Sequence, residues 1–370
     1  MAYLRLFILV VFLCCLSTQA DQLNPSKLSL KAAESMILDV TQVAGALVAV
    51  GERGHVLRSV DSGLTWVQVQ SPVDTMLTAV FFVGNTGWAV GHDGHIIKSS
   101  DGGLSWVLVR NGLDEQKKHN KRQWVLAQRQ LNMLAKQAKE DASLAQAYER
   151  AQDDFEWLSE KRSGIVIHPP LMDVRFLNDK LGFAVGGFGV LLTTDDGGVS
   201  WKYISDRVNN EQQAHYYAIV IDDDRLMIAG EMGFVSISDD NGVSWENISY
   251  GFDGSIFTAS LNHVNGSYIA SGIRGLTKIS TDRGVTWSQL AINPGFSLTG
   301  SAFSKKGKVA LVGSGGTIAV SDNDGGSFFV DTLPSRALLS SVVFVDEDTL
   351  VIAGQDGLKR IDLQAAIKNK

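Results

Sequence analysis

The sequence predicts an all-β chain folded as a seven-bladed β-propeller, with one inserted α-helical hairpin. Three observations predict it. The pattern Gly-x-x-Gly-x(4)-Ser/Thr-x-Asp-x-Gly-x-Ser/Thr-Trp returns at residues 51–66, 91–106, 186–201, 230–245, 272–287 and, degraded, 313–328. Its period is about 40 residues, with alternating apolar runs between Gly-rich turns, which is the signature of propeller blades. One segment, 113–162, contains neither Gly nor Pro and breaks the repeat.

Each blade is expected to hold four antiparallel strands, A innermost and D outermost. In the second repeat these are 77–83, 87–90, 95–99 and 106–109, with Gly84-Asn85-Thr86 as the A–B hairpin turn. The same parsing puts the other A strands at 37–43, 172–177, 217–221, 256–261, 298–303 and 339–345, which makes seven blades. The last blade has Gly354 and Gly357 but no terminal Asp-Gly-Trp box. It reads as one strand short, and residues 26–31 are expected to supply the missing outer strand and so close the ring.

The box is read as structural. Asp61, Asp101, Asp196, Asp240 and Asp282 fall in C–D hairpins, where a carboxylate accepts bonds from nearby backbone N–H groups. Gly63, Gly103, Gly198, Gly242 and Gly284 supply backbone angles that a Cβ resists. Trp66, Trp106, Trp201, Trp245 and Trp287 open strand D and are expected to pack between strands or blades. Carboxylates that recur on every blade's rim suit a scaffold better than metal binding or acid–base chemistry. Asn323 and Phe328, which replace Asp and Trp in the sixth copy, fit the same reading.

The ends and composition bound the setting. Arg5, an apolar run over 7–16 and Ser17-Thr18-Gln19-Ala20 read as a signal peptide over 1–20, followed by a propeller over 21–370. Cys14 and Cys15, the two cysteines, lie inside that leader, so the mature protein is expected to lack disulfides, thiolate metal sites and Cys nucleophiles. A net charge of -7 argues against a general nucleic-acid binder. No second apolar stretch has the length of a membrane span. The expectation is a periplasmic or secreted protein, peripheral to a membrane at most.

The run Ser99-Ser100-Asp101-Gly102-Gly103-Leu104-Ser105-Trp106 resembles the Asp box of bacterial neuraminidase repeats (BNR). The fuller repeats Gly87-Trp88-Ala89-Val90-Gly91-His92-Asp93-Gly94 and Gly182-Phe183-Ala184-Val185-Gly186-Gly187-Phe188-Gly189 look like the photosystem II stability/assembly factor family. The resemblance covers nearly the whole chain apart from the insertion. It implies a non-enzymatic, seven-bladed scaffold that binds a membrane-protein partner during assembly. Relatives without photosynthesis occupy envelope settings, some with RND-type transporters. The family's Arg-rich patch does not align here residue by residue, so no site is carried over.

Recognition is expected on the face of the B–C turns and D–A connections, where the repeat varies. Its candidate residues are Glu52, Arg53, His92, Asp93, Phe188, Glu231, Arg274, Arg336 and Asp356. The insertion, 111–165, is a D–A connection on the same face. Its stripes at Trp124, Leu131, Leu134 and Ala138, and at Leu144, Tyr148, Ala151, Phe155 and Leu158, predict an αα-hairpin turning near Ser143, with Ser143 and Gln146 as a capping box. Trp124, Phe155 and Trp157 join the candidate contacts.

The rival class is a glycosidase or sialidase-like hydrolase, which needs paired carboxylates or a Tyr–Glu nucleophile with an Arg triad. Arg53, Arg207, Arg274 and Arg336 are the arginines expected to reach the working face, but the sialidase Arg-Ile-Pro motif is missing. A small-ligand propeller is the other alternative. His92 with His95, and the acidic turns at 222–224 and 346–348, read as surface features rather than metal sites. The reading is a monomeric scaffold or accessory factor of an envelope membrane-protein complex, with no cofactor, no catalytic residue and no nucleic-acid partner.

Overall fold

The computed structural model describes residues 24–164, 166–292 and 295–368; the segment read as a signal peptide lies outside them. Among the described residues there are seven antiparallel sheets, six of four strands and a last one of three, each in simple chain order. The innermost strands are Ile37–Val43, Leu77–Val83, Leu171–Phe176, Tyr216–Asp222, Ile256–Leu261, Leu298–Phe303 and Leu339–Phe344. They line a central channel of about 880 Å³. Apart from the outer strand expected from residues 26–31, the expected strands are all present, with ends shifted by a residue or so.

Strand B explains why the blades hold together. Ala46–Gly51, Gly182–Gly186 and Thr349–Gly354 are buried along their whole length. A strand covered on both faces loses the in–out alternation and reads as a continuous apolar run. The covers are the two neighbouring blades, and among the described residues there are seven apolar clusters, one at each blade-to-blade junction. The junction of blades one and seven contains Ile37, Leu47, Ala49, Val351 and Ala353. That of blades two and three is anchored by Trp88, stacked on Phe176 at 3.5 Å, with its indole N–H donating to the Gly197 carbonyl at 3.0 Å.

The box works the same way in every copy. In blade two the Ser99 hydroxyl donates to Asp101 Oδ1 at 2.8 Å and accepts from the Gly103 N–H at 2.9 Å. The Asp101 carboxylate also accepts from the backbone and hydroxyl of Ser105, at 2.9 and 2.6 Å. Asp61, Asp196, Asp240 and Asp282 repeat these bonds. Asn323 also keeps the geometry: its Oδ1 accepts from the Ser327 N–H, and its Nδ2 donates to the hydroxyl that donates elsewhere.

The box glycine then meets the preceding blade. A Cβ on Gly63 would stand 2.6 Å from Val351, one on Gly103 2.8 Å from Val48, one on Gly198 2.5 Å from Trp88 and one on Gly242 2.7 Å from Phe183. Each of those four partners belongs to strand B of the blade before. The box Trp is fully buried only in Trp106; Trp66, Trp201, Trp245 and Trp287 are half-buried.

The expected closure by residues 26–31 does not occur. Ser26 donates to the Ser71 carbonyl at 2.9 Å, and Ser29 to the Gln68 side chain at 2.7 Å. The segment therefore covers the outer edge of blade one, and blade seven keeps three strands. The chain then turns through Ala32–Glu34 and passes blade seven so closely that a Cβ on Gly357 would lie 2.0 Å from the Ala33 carbonyl oxygen. The seam is held at strand A, where Ser340 donates to the Ile37 carbonyl and Ser341 to Asp39.

The insertion forms two antiparallel helices, α1 (Gly112–Gln137) and α2 (Ala145–Ser163). Asn111 caps α1 through the Asp114 N–H. At the turn it is Asp141, accepting from the Ser143 N–H at 2.9 Å, that holds the backbone. The expected Ser143–Gln146 capping box is not the device used, because α2 begins without a side-chain cap.

Two outcomes follow. Trp88→Ala, which empties a fully enclosed site, is expected to lower unfolding stability by about 3–5 kcal/mol in urea titration. The Ser/Thr hydroxyl bond is the largest cause holding Asp61, Asp101, Asp240 and Asp282 down at about 2, below the ordinary 3.8. A depressed carboxylate contributes fully above 3.8 and loses that contribution as pH falls through its folded value. The melting temperature should therefore drop between pH 4 and pH 2.

Candidate functional site

The B–C turn of blades one to six is one turn of 3-10 helix, and its middle residue is left-handed each time. Those residues are Arg53, Asp93, Phe188, Met232, Arg274 and Gly315, with φ between 54° and 68°. This region disfavours any residue with a Cβ by about 1–2 kcal/mol, and glycine is its natural occupant, as in blade six. Five blades carry a side chain there instead. Phe188 is 59% exposed and Met232 48%. Arg53 and Arg274 also face solvent. Arg336, at φ 55° before the last blade, is exposed too.

The turn tips divide the face by chemistry. Blades one and two present Glu52, Arg53, His92 and Asp93. Blades three to five present an aromatic track: Phe188 packs on His215 at 4.6 Å, His215 lies 6.3 Å from Tyr217, and Tyr217 lies 5.5 Å from Phe257. Tyr217 and Phe257 also line the channel, so the track runs from the exposed rim to the axis. Glu231 fixes it, accepting from the His215 N–H at 3.0 Å and from the Tyr217 hydroxyl at 3.2 Å. Burial, and then Glu231, push the Tyr217 phenol up to about 12.

Beside the track, Met232, Phe252, Ile273 and Arg274 line a cleft of about 700 Å³ between blades four and five. Asp356 sits at the tip of blade seven, 3.5 Å from Lys359. Arg207 leaves this face: it donates to the Gly242 carbonyl, in the box of blade four. In the hairpin, Trp124 and Phe155 turn into the seam with ring centroids 5.6 Å apart, and Trp124 donates to Ser159. Trp157 faces out, 58% exposed.

Two groups of polar residues escaped the sequence reading. The first lines the channel. Asp39 accepts from the Val80 N–H of the next blade at 2.9 Å, and Asp173 from the Ile219 N–H at 3.0 Å. Burial raises both carboxyls, Asp173 to about 6 despite an ion pair with Arg175 at 2.8 Å. The shared Leu/Met-Asp-Val start of strand A in blades one and three was the available signal. The second group stands at the foot of the hairpin: Arg110, Glu115, His168 and Tyr203. Among the described residues no cluster of three or more His, Cys, Asp or Glu side chains could hold a metal.

If the turn tips serve contact rather than folding, removing one should leave stability nearly intact. Phe188→Gly relieves the left-handed strain and is expected to stay within about 1 kcal/mol of the parent in urea unfolding.

A model of the photosynthesis system II assembly factor YCF48 family matches residues 153–253, which run from α2 through blade four. The photosystem II assembly lipoprotein Ycf48 of Synechococcus sp. (strain CC9902) is 39% identical over 62 residues. That stretch covers 17% of this chain and 18% of the relative, so the chain spans under a fifth of the curated relative it matches. Three solved structures share the ring. YCF48 bound to D1 peptide superposes with a TM-score of 0.61 at 16% identity, over 92% of this chain and 96% of that one. YCF48 from Cyanidioschyzon merolae gives 0.59 at 17%, over 92% and 99%. The WD40 propeller of Doa1 gives 0.58 at 12%, over 92% and 95%. All three structural likenesses show the propeller fold alone, whereas the repeat motif and the matched segment are more particular. The chain is a seven-bladed β-propeller built from Asp-box repeats, and it is similar to the photosystem II assembly factors of the YCF48 family.

Proposed function

We propose that this chain is a non-catalytic scaffold that binds an exposed segment of a membrane-protein partner across its B–C turn face. It acts outside the cytoplasm as a monomeric assembly or accessory factor of an envelope complex, with an RND-type transporter as the first partner to test. The observation that carries this reading is the row of exposed side chains held in left-handed backbone, where glycine would be less strained. Strain kept at solvent-facing positions marks contact surfaces. The partner class is supported by likeness: a YCF48 structure with the same ring carries a D1 peptide, and the curated relative is an assembly lipoprotein. No helix among the described residues is long and apolar enough to cross a membrane.

The aromatic track and the cleft supply the apolar part of the contact, and Arg53, Arg274 and Arg336 its charged edge. Trp157 extends the surface onto the hairpin. The Tyr217–Glu231 pair favours a second reading, because a sialidase nucleophile uses that pairing. A phenol pushed up to about 12 suits a held structural tyrosine better than a nucleophile. A sialoside hydrolysis rate that falls in Tyr217→Phe would establish the hydrolase.

The test is capture from crosslinked, detergent-solubilised envelopes, comparing the full chain with a version lacking 111–164. A membrane protein retained by the full chain is expected to be lost or reduced without the hairpin. With that partner in hand, Phe188→Asn, which keeps a residue tolerant of the left-handed turn, should weaken binding by about 2 kcal/mol, roughly 30-fold. Unchanged affinity in Phe188→Asn and Met232→Asn would remove the turn face from the contact.

A further inference from the structure

Strand D of blade two, Val107–Arg110, ends in a register shift. Ile97 pairs with Leu108 but Ile96 pairs with Arg110, so Val109 is bulged out of the ladder. A bulge re-aims the residue beside it, and Arg110 turns inward until its side chain is only 1% exposed. It then reaches four separate segments. One terminal nitrogen donates to the Gly94 carbonyl, in the B–C turn of blade two, at 2.6 Å. The other lies 2.6 Å from Glu115 on the first turn of α1, 2.8 Å from the Tyr203 hydroxyl on blade three and 3.2 Å from His168 Nε2, after α2.

The surroundings are shaped for this contact. His168 Nδ1 stands 2.7 Å from the Pro169 carbonyl, which can only accept. The proton is therefore on Nδ1, and Nε2 is left to accept from the Tyr203 hydroxyl at 2.7 Å, which itself accepts from Arg110. Burial, then the Arg110 charge, hold His168 neutral, with its pKa lowered to about 4. Two glycines leave the space: a Cβ on Gly94 would sit 2.4 Å from the His168 ring and 2.7 Å from Arg110, and one on Gly112 would sit 2.5 Å from the Asp93 carbonyl. Burying an arginine is unfavourable unless its donors are matched. Here the terminal nitrogens are met by Glu115 at the start of the insertion and by Gly94 and Tyr203 on the two flanking blades, while the buried Nε–H has no partner among the described residues.

We infer that Arg110 is the positioning residue of the helical hairpin, fixing the angle at which α1 and α2 leave the ring. The hairpin is then a rigid arm set beside the Asp93 and Phe188 turn tips rather than a tethered flap. A planar fork reaching several acceptors at once is the property that lysine lacks. The fixed angle itself does not depend on the proposed partner; its use in binding rests on the reading above.

The experiment is a distance measurement by pulsed electron spin resonance on the full chain. Spin labels are placed through Lys136→Cys on α1 and Gln355→Cys on blade seven, in a background of Cys14→Ser and Cys15→Ser. The expected parent result is one narrow distance peak. Arg110→Lys and Glu115→Ala should each broaden it, while circular dichroism shows the propeller still folded. Glu115→Ala cuts only the hairpin side of the contact and guards against misfolding of the Arg110 variant. A peak that stays as narrow as the parent's in both folded variants overturns the inference. If the peak broadens but capture from envelopes is unchanged, the arm is positioned as inferred and the hairpin's part in the partner contact fails instead.

Discussion

No blade of this ring has a core of its own. Strand B is closed on one face by the blade before and on the other by the blade after, and in four boxes the glycine lies against strand B of the blade before. A side chain at Gly63, Gly103, Gly198 or Gly242 would collide with Val351, Val48, Trp88 or Phe183. The rest of the box exists to bring that glycine to its neighbour: the carboxylate ties down the loop, the hydroxyl ties down the carboxylate, and the Trp starts the outer strand. Polar stitches repeat the arrangement at the axis, where Asp39, Thr78, Asp173 and Ser340 each bond to the backbone of the following blade. Stability of this kind depends on nearest-neighbour contacts around a circle.

That arrangement leaves the B–C turn face free to vary. The turns of blades one to six share one backbone shape, left-handed at the middle residue, so the scaffold sets where each side chain emerges and the sequence decides what emerges. The result is a face with a charged sector over blades one and two and an aromatic sector over blades three to five. The hairpin rises at the boundary between them. Constant geometry below and changing chemistry above is a common plan for surfaces that must recognise an irregular partner.

The blades were legible because their signals are local. A Gly-x-x-Gly turn, an alternating run and a box all fall within one period, and six copies reinforce one another. What escaped depends on residues far apart in the chain. Asp39 looks like any strand polar residue until Val80 and Ser341 are beside it. Residues 26–31 have the composition of a strand, but the partner they take is Gln68 and Ser71 rather than the last blade. Arg110 closes an ordinary repeat, and only its bulge and the return of His168 after the insertion make it an anchor. The hairpin itself was legible from its stripes, but Asp141, which holds its turn, was masked by the more recognisable Ser143–Gln146 spacing.

The three-stranded last blade has a mechanical meaning. Blade seven follows blade six in the chain, but it meets blade one only through space, across a seam of strand A hydroxyls, the Val351–Gly63 contact and the passage of Ala33 over Gly357. The N-terminal segment passes the seam at Ala32–Glu34, whereas Leu363, after the last strand, packs at the junction of blades six and seven. Every other neighbouring pair of blades is also joined by the chain itself, so a force that spreads the ring meets no covalent link at this junction. Anything that anchors one end while a bound partner tugs on the turn face would find in this seam the ring's natural parting line.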